Sequence, residues 1–257
     1  MAGAWLVRHG RRDGPTARLF CFPHAGVGAS AYRLWTRGLP TTIDVCSIQA
    51  PGREDRLREA PLTSIPALVD GIMGALGPEL DLPFVFFGHS MGATVATEVA
   101  RALEARGGSL PAHLVVSGRR PPHLPGTETP LATLPDAEFV AQVQRRYGGI
   151  PTTLLEEPEV MALLLPTLRA DFTALETHRP PERAPLPFPV TAIGGAEDAL
   201  TPREHLEAWR RETTHAFTTR LFSGGHFYLA AHLPEVLALV AALMAPLKAG
   251  VADGATP

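Results

Sequence analysis

The chain has 257 residues, 45% hydrophobic and 19% charged, a balance that suits one large globular domain with room for an insertion. Its formal net charge of −3 offers no electrostatic footprint for nucleic acid. None of the spacings CxxC, HExxH, GxGxxG or the phosphate-loop pattern occurs, so neither a metal site nor a bound cofactor is expected.

In chain order, Arg8, Arg11 and Arg12 come first without an apolar run behind them, so no signal peptide is expected. Short apolar runs then predict strands at Arg18–Phe22, Asp44–Gln49, Phe84–Phe87, His113–Ser117, Val190–Ile193 and Thr219–Phe222. Helical spacing falls between them at Ile65–Leu76, Ala93–Glu104, Arg203–Arg211 and Pro234–Leu247. Strands alternating with helices predict a mostly parallel sheet covered on both faces, with the chemistry in the loops after the strands. Cys21 and Cys46 sit inside two of the strand runs and read as buried free thiols of a reducing compartment. The longest apolar segment, Val236–Leu247, is short of the ~20 residues that cross a bilayer. No membrane or nucleic-acid partner is therefore expected. The last ten residues, "KAGVADGATP", read as a frayed tail.

One stretch breaks the alternation. Residues 119–189 hold 13 of the 26 prolines, clustered at the two ends as "RRPPHLP" and "RPPERAPLPFP". Between the clusters lie two helical patterns. Phe139, Val140, Val143 and Tyr147 mark the first, which Gly148 and Gly149 end. Met161, Leu164, Leu165, Leu168, Phe172 and Leu175 mark the second. The expected organisation is a core of residues 1–118 and 190–257 with an insertion of residues 119–189.

The run "FVFFGHSMGATVATEVARAL" places Gly88-His89-Ser90-Met91-Gly92 between a strand and a helix. In a G-x-S-x-G turn the glycines leave room beside the serine, whose hydroxyl projects as a nucleophile. The Met91 N–H, at the helix N-terminus, is a candidate oxyanion donor. A second donor is expected from the loop after an earlier strand, "FPHAG", at the Ala25 N–H. Among ten histidines, His226 in "FSGGHFYL" lies on a glycine-rich loop past the last strand and is the candidate base. His205 and His232 fall in helical patterns, His215 precedes the last strand, and His89 is expected to face away from the reacting side. The acid that orients the imidazole should follow a strand between serine and histidine. "GGAEDALTP" supplies Asp198, with Glu197 as the alternate, and Asp198 could also simply cap the next helix.

The blocks "LFCFPHAGVGASAYRLW", "IQAPGREDRL", "FFGHSMGATVATEVAR", "GGAEDALTP" and "SGGHFYL", in this order, resemble the type II thioesterases of polyketide and nonribosomal-peptide assembly lines. That resemblance implies an α/β-hydrolase fold with a helical lid at residues 119–189. It also implies a role in antibiotic biosynthesis, by hydrolysis of acyl groups held on the phosphopantetheine arm of acyl or peptidyl carrier proteins. The family's nucleophile falls on Ser90, its acid on Asp198, its base on His226 and its oxyanion donors on Ala25 and Met91. Met161, Leu164, Leu165, Leu168 and Phe172 are candidate acyl-binding residues of the lid. With no carrier domain fused after the last helix, the substrate is expected to arrive on a separate protein, and a cytoplasmic monomer is expected. The same residues also suit a general carboxylesterase or an acyltransferase, although "PHAG" stands where a lipase carries HGGG. A non-catalytic binding module is a further alternative, but such a module would be expected to lack the serine or the histidine.

Overall fold

The computed structural model describes residues 4–10, 14–126 and 128–247; Arg11, Arg12 and the expected C-terminal tail lie outside them. Seven strands form one sheet: β1 (Leu6–Arg8), β2 (Ala17–Phe22), β3 (Ile43–Ile48), β4 (Phe84–His89), β5 (His113–Ser117), β6 (Val190–Gly195) and β7 (Phe217–Phe222), in the order β1-β3-β2-β4-β5-β6-β7. All neighbours are parallel except β1, which runs antiparallel to β3 at the edge. The six expected strands all form, some extended by a few residues. β1 was not expected: only three residues long and partly exposed at the sheet edge, it is too short for a strand pattern to stand out.

β2, β3, β4 and β6 are buried along their whole length, which is why β2 and β4 read as near-continuous apolar runs rather than alternating ones. On one face lie α1 (Ile65–Leu76) and α2 (Met91–Ala105), packed over Phe20, Phe84 and Phe86. The Ser64 side chain caps α1 by accepting the Ala67 N–H at 3.3 Å, and Pro66 sits in the first turn, where no N–H is missed. The other face is covered by a 3₁₀ segment at Ala29–Arg37 and, later in the chain, by the helix at Leu233–Met244. The 3₁₀ segment was not anticipated. Its buried Tyr32 and Trp35 stand three residues apart, the period of that helix and not of an α-helix.

Residues 119–189 leave the sheet after β5 and return at β6. They hold α3 (Asp136–Tyr147), the short α4 (Thr152–Leu155) and the 20-residue α5 (Pro158–Thr177). Pro166 interrupts α5, taking away the N–H that Ala162 would otherwise bond. Before it the helix is largely exposed; after it Thr167, Ala170, Asp171, Phe172 and Ala174 are buried. The segment expected at 203–211 divides into α6 (Arg203–Glu207) and a 3₁₀ turn at Ala208–Glu212, and the Leu233–Met244 helix is α7.

Register decides where the loops meet. Gly88 of β4 stands opposite Phe22 of β2 and Val116 of β5, while Ile193 of β6 stands opposite Ser117 and Arg220. Parallel strands in step deliver the chain segments that follow Phe22, His89, Ser117, Gly195 and Phe222 to one edge of the sheet. Those segments carry Ala25, Ser90, Gly118, Asp198 and His226.

Candidate active site

Ser90 joins β4 directly to α2 with φ 53° and ψ −115°, a conformation that a non-glycine residue holds at a cost of about 1–3 kcal/mol. Two hydrogen bonds pin the turn: the Ser90 N–H donates to Ser117 O at 2.8 Å, and Ser90 O accepts the Ala93 N–H at 3.1 Å. Neither flanking glycine could carry a side chain. A Cβ on Gly92 would collide with the carbonyl of Phe22, and one on Gly88 with the carbonyl of Gly92. The elbow is thus wedged between β2 and its own helix, and the serine is the part left facing the loops.

The loop after β7 brings His226 to the same place. His226 Nδ1 and Asp198 Oδ2 are 2.7 Å apart, and both side chains are buried. Asp198 is itself held, its Oδ1 accepting the Leu200 N–H at 3.0 Å. Glu197 points elsewhere, its carboxylate accepting the Gly224 N–H on the exposed side of the loop. Of the two carboxylates left open by the sequence, Asp198 is therefore the one against the imidazole. With the Nδ1 proton donated to a carboxylate, Nε2 carries the lone pair. That nitrogen is buried and has no hydrogen-bond partner among the described residues, so no bond to Ser90 Oγ is formed in this structure. Ser90 and His226 nevertheless line the same cleft.

Three imidazoles cluster here, of which His24 and His226 line the cleft. The His89 ring lies 5.1 Å from that of His226 and 5.6 Å from that of His24. His89, expected to face away from the reacting side, lines neither cleft that holds Ser90, yet its ring packs beside that of His226. Its Nδ1 is tied to Ser117 Oγ at 2.8 Å, and Ser117 Oγ to Tyr228 Oη at 2.7 Å, so hydrogen bonds and packing turn the ring inward. Burial, and then any positive charge on His226, pushes the pKa of His24 down to about 4, and the same causes hold His89 well below the usual imidazole value.

Next to the serine lies a cavity of about 140 Å³. Ala25, Gly26, Met161, Leu164, Leu168 and Phe172 contribute to its wall. Leu165 does not line it. On α5 it packs instead on the apolar cluster of Leu131, Phe139, Val143 and Phe172, which adjoins the cavity wall, so it is not brought to the cavity with the other four candidates. Leu168 presses on the turn after β2, since its Cδ1 would stand 2.8 Å from a Cβ on Gly26, which has φ +82°. The Met91 N–H, at the first position of α2, has no acceptor within the helix. The Ala25 N–H has no protein acceptor among the described residues.

Several residues here were not singled out from the sequence. Tyr147, at the end of α3, packs its ring 5.2 Å from that of His226. Arg119 lines both the cavity and the small polar cleft between Ser90 and His226, and its guanidinium makes no hydrogen bond or ion pair among the described residues. Burial and the neighbouring Arg120 lower its pKa to about 10. The signal for it is position: Arg119 stands two residues past the end of β5, at the sheet edge where the site loops meet. Cys21 and Cys46 are buried and free, as expected. No helix among the described residues is long and apolar enough to cross a membrane.

A parallel sheet with a serine elbow after β4 and loops converging at one edge defines an α/β-hydrolase. The thioesterase domain family model matches residues 17–244, and the chain belongs to that family. It is 40% identical over 225 residues to the gramicidin S biosynthesis protein GrsT of Aneurinibacillus migulanus, covering 88% of each chain. Among solved structures, the type II thioesterase BorB from the borrelidin biosynthetic cluster aligns with TM-score 0.83 and 33% identity over 93% of this chain and 95% of that one. YbtT, a type II thioesterase from the yersiniabactin NRPS/PKS biosynthetic pathway, aligns with TM-score 0.84 and 31% identity over 95% and 100%.

Proposed function

We propose that this thioesterase hydrolyses acyl thioesters presented on the phosphopantetheine arm of carrier proteins in a polyketide or nonribosomal-peptide assembly line. What supports the reading most is one arrangement: the Asp198–His226 pair and the elbow serine border a small apolar cavity. The names of the relatives point the same way, since BorB and YbtT are type II thioesterases of such pathways.

In this reading His226 Nε2 accepts the Ser90 hydroxyl proton as Oγ attacks the thioester carbonyl carbon. Charge on the carbonyl oxygen is taken by the N–H groups of Ala25 and Met91. Asp198 holds the imidazole in the required tautomer and stabilises its cation. The C–S bond breaks, the sulfur leaves as the thiol with the proton from His226, and the acyl group remains on Ser90. Water, deprotonated by His226, then attacks the ester carbonyl; the C–Oγ bond breaks, His226 returns its proton to Ser90 Oγ, and the acid is released. Residues 119–189 act as a lid over this chemistry, with Met161, Leu164, Leu168 and Phe172 as the acyl wall. A cavity of about 140 Å³ is close to the ~150 Å³ that accommodates benzene, so short acyl groups fit it without rearrangement. The protein works as a monomer in a reducing compartment, and the carrier protein is its macromolecular partner.

The experiment is release of acyl groups from carrier proteins loaded with chains of graded length. Fast release of short chains supports the reading. Release no faster than from a loaded carrier alone, with rapid hydrolysis of simple oxygen esters, would make the protein a general carboxylesterase.

A further inference from the structure

We infer that Asp171, on the lid helix α5, is a positioning residue for the oxyanion loop, and that Arg53 keeps its charge from opposing the oxyanion. The inference rests on the proposed role of Ala25 as an oxyanion donor.

Asp171 is fully buried. Its Oδ2 accepts the Gly26 N–H at 2.8 Å, so it grips the peptide immediately after Ala25. The same carboxylate takes a bidentate pair from Arg53: Nη1 to Oδ2 and Nη2 to Oδ1, each 2.9 Å. Arg53 also reaches the far side of the turn, Nη1 donating to Val27 O at 3.2 Å, while its Nε donates to Pro51 O of its own loop at 3.3 Å. One turn earlier on α5, Thr167 Oγ1 donates to Gly52 O, and Leu168 lies on Gly26. Carboxylate, guanidinium, oxyanion loop and acyl wall therefore form a single bonded unit that bridges 118 residues of chain. The "APGRE" block, which has no place in the proposed chemistry, supplies the arginine.

An oxyanion hole works through donors fixed before charge develops. A carboxylate is a strong acceptor for fixing the loop, since charge-assisted hydrogen bonds are the short, strong ones. It is also the wrong sign next to a developing anion. The bidentate guanidinium removes that conflict by neutralising Asp171 in place. Two consequences separate this role from mere docking of the lid. Loss of Arg53 alone should harm catalysis more than loss of the Asp171 charge, and removing both charges should recover part of what loss of Arg53 costs.

The test compares Asp171→Asn, Arg53→Gln and the double Asp171→Asn/Arg53→Gln with wild type. Short-chain thioester turnover, affinity for a trifluoromethyl ketone analogue that forms a serine hemiketal, phosphonate labelling of Ser90 and melting temperature are measured. Asp171→Asn should lower kcat by about 10- to 100-fold, less than outright loss of an oxyanion donor, with KM within about threefold, and analogue affinity should fall by the same factor as kcat. Arg53→Gln should be the worse single change, and the double variant should exceed it in kcat. Because a buried half-pair can prevent folding, Arg53→Leu/Asp171→Leu supplies a second arm: apolar packing restores docking but offers Gly26 no acceptor. That folded variant should still lose about 10-fold or more in kcat. Wild-type kcat and analogue affinity in a folded Leu/Leu or Asp171→Asn protein overturn the inference, as does a double variant no better than Arg53→Gln. A wild type that neither hydrolyses thioesters nor takes label at Ser90 instead overturns the reading beneath it.

Discussion

Asp198 Oδ2 and His226 Nδ1 meet at 2.7 Å across 28 residues of chain, whereas Glu197, adjacent to Asp198, bonds Gly224 on the exposed side of the same loop. The difference is geometric. The turn after β6 sends Asp198 inward, where Leu200 N–H holds its second oxygen. It makes a sharp prediction. Ser90→Ala and His226→Ala should each cost on the order of 10⁴-fold or more in turnover, and the double change should cost little beyond either. Asp198→Ala should cost less than these two, and Glu197→Ala least. Steady-state kinetics on one thioester series checks the order. Losses that multiply in the double variant, or a Glu197 change more harmful than the Asp198 one, would contradict it.

Acid should remove activity with the slope of one proton. The base must be neutral to accept the serine proton. His24, lowered to about 4, carries little charge above pH 5, and burial lowers His89 as well. A log kcat/KM plot should fall with unit slope on the acid side. A slope of two would mean that another histidine of the cluster titrates with His226.

The same shifts predict acid-sensitive stability. His24 and His113 have folded-state values of about 4, and His89 is also lowered. An unfolded imidazole binds its proton near 6.5, so the unfolded state holds more protons below that pH. Stability from these groups is complete above pH 6.5 and is lost as pH falls from 6.5 toward 4. Near pH 5, unfolding should take up about two protons for His24 and His113, to which His89 adds in the same direction. His24→Gln should reduce the uptake by about one. Calorimetry in buffers of different ionisation enthalpy measures this, and an unchanged uptake would contradict the assignment.

Enlarging the cavity wall should rank chain lengths, but only at some positions. Met161→Phe or Leu164→Phe fills apolar space, and each CH₂ excluded is worth about 0.8 kcal/mol, about fourfold in relative rate. Long acyl chains should lose, with acetyl turnover nearly intact. Leu168→Trp should behave differently, because Leu168 already presses on Gly26 beside Ala25. It should lower turnover for every chain length. Uniform losses at Met161 and Leu164, with the fold intact, would mean that this wall is structural.

What could be read from the residues beforehand follows from how local each cause is. β2, β4 and the elbow were legible because a buried strand, two glycines and a helix start are written in consecutive residues. β1 was not, because its place at the edge comes from pairing with β3, some forty residues away. The choice between Asp198 and Glu197 depended on a turn whose hydrogen bonds no spacing records. The helical spacing on α5 picked out four residues of the cavity wall but included Leu165, since a stripe at three-to-four spacing spans two neighbouring contacts, the cavity and the Phe139 cluster. Arg53 and Asp171 carried no mutual signal at all, being 118 residues apart.

The measurement that tests the account most directly is intact-mass analysis of a carrier protein loaded with a short acyl group on its phosphopantetheine arm, incubated with wild-type protein or with Ser90→Ala. The account predicts that wild type strips the acyl mass from the arm within many turnovers per enzyme and leaves the arm itself in place, while Ser90→Ala leaves the carrier loaded. A carrier that stays loaded with wild type, or is unloaded equally well by Ser90→Ala, would contradict it.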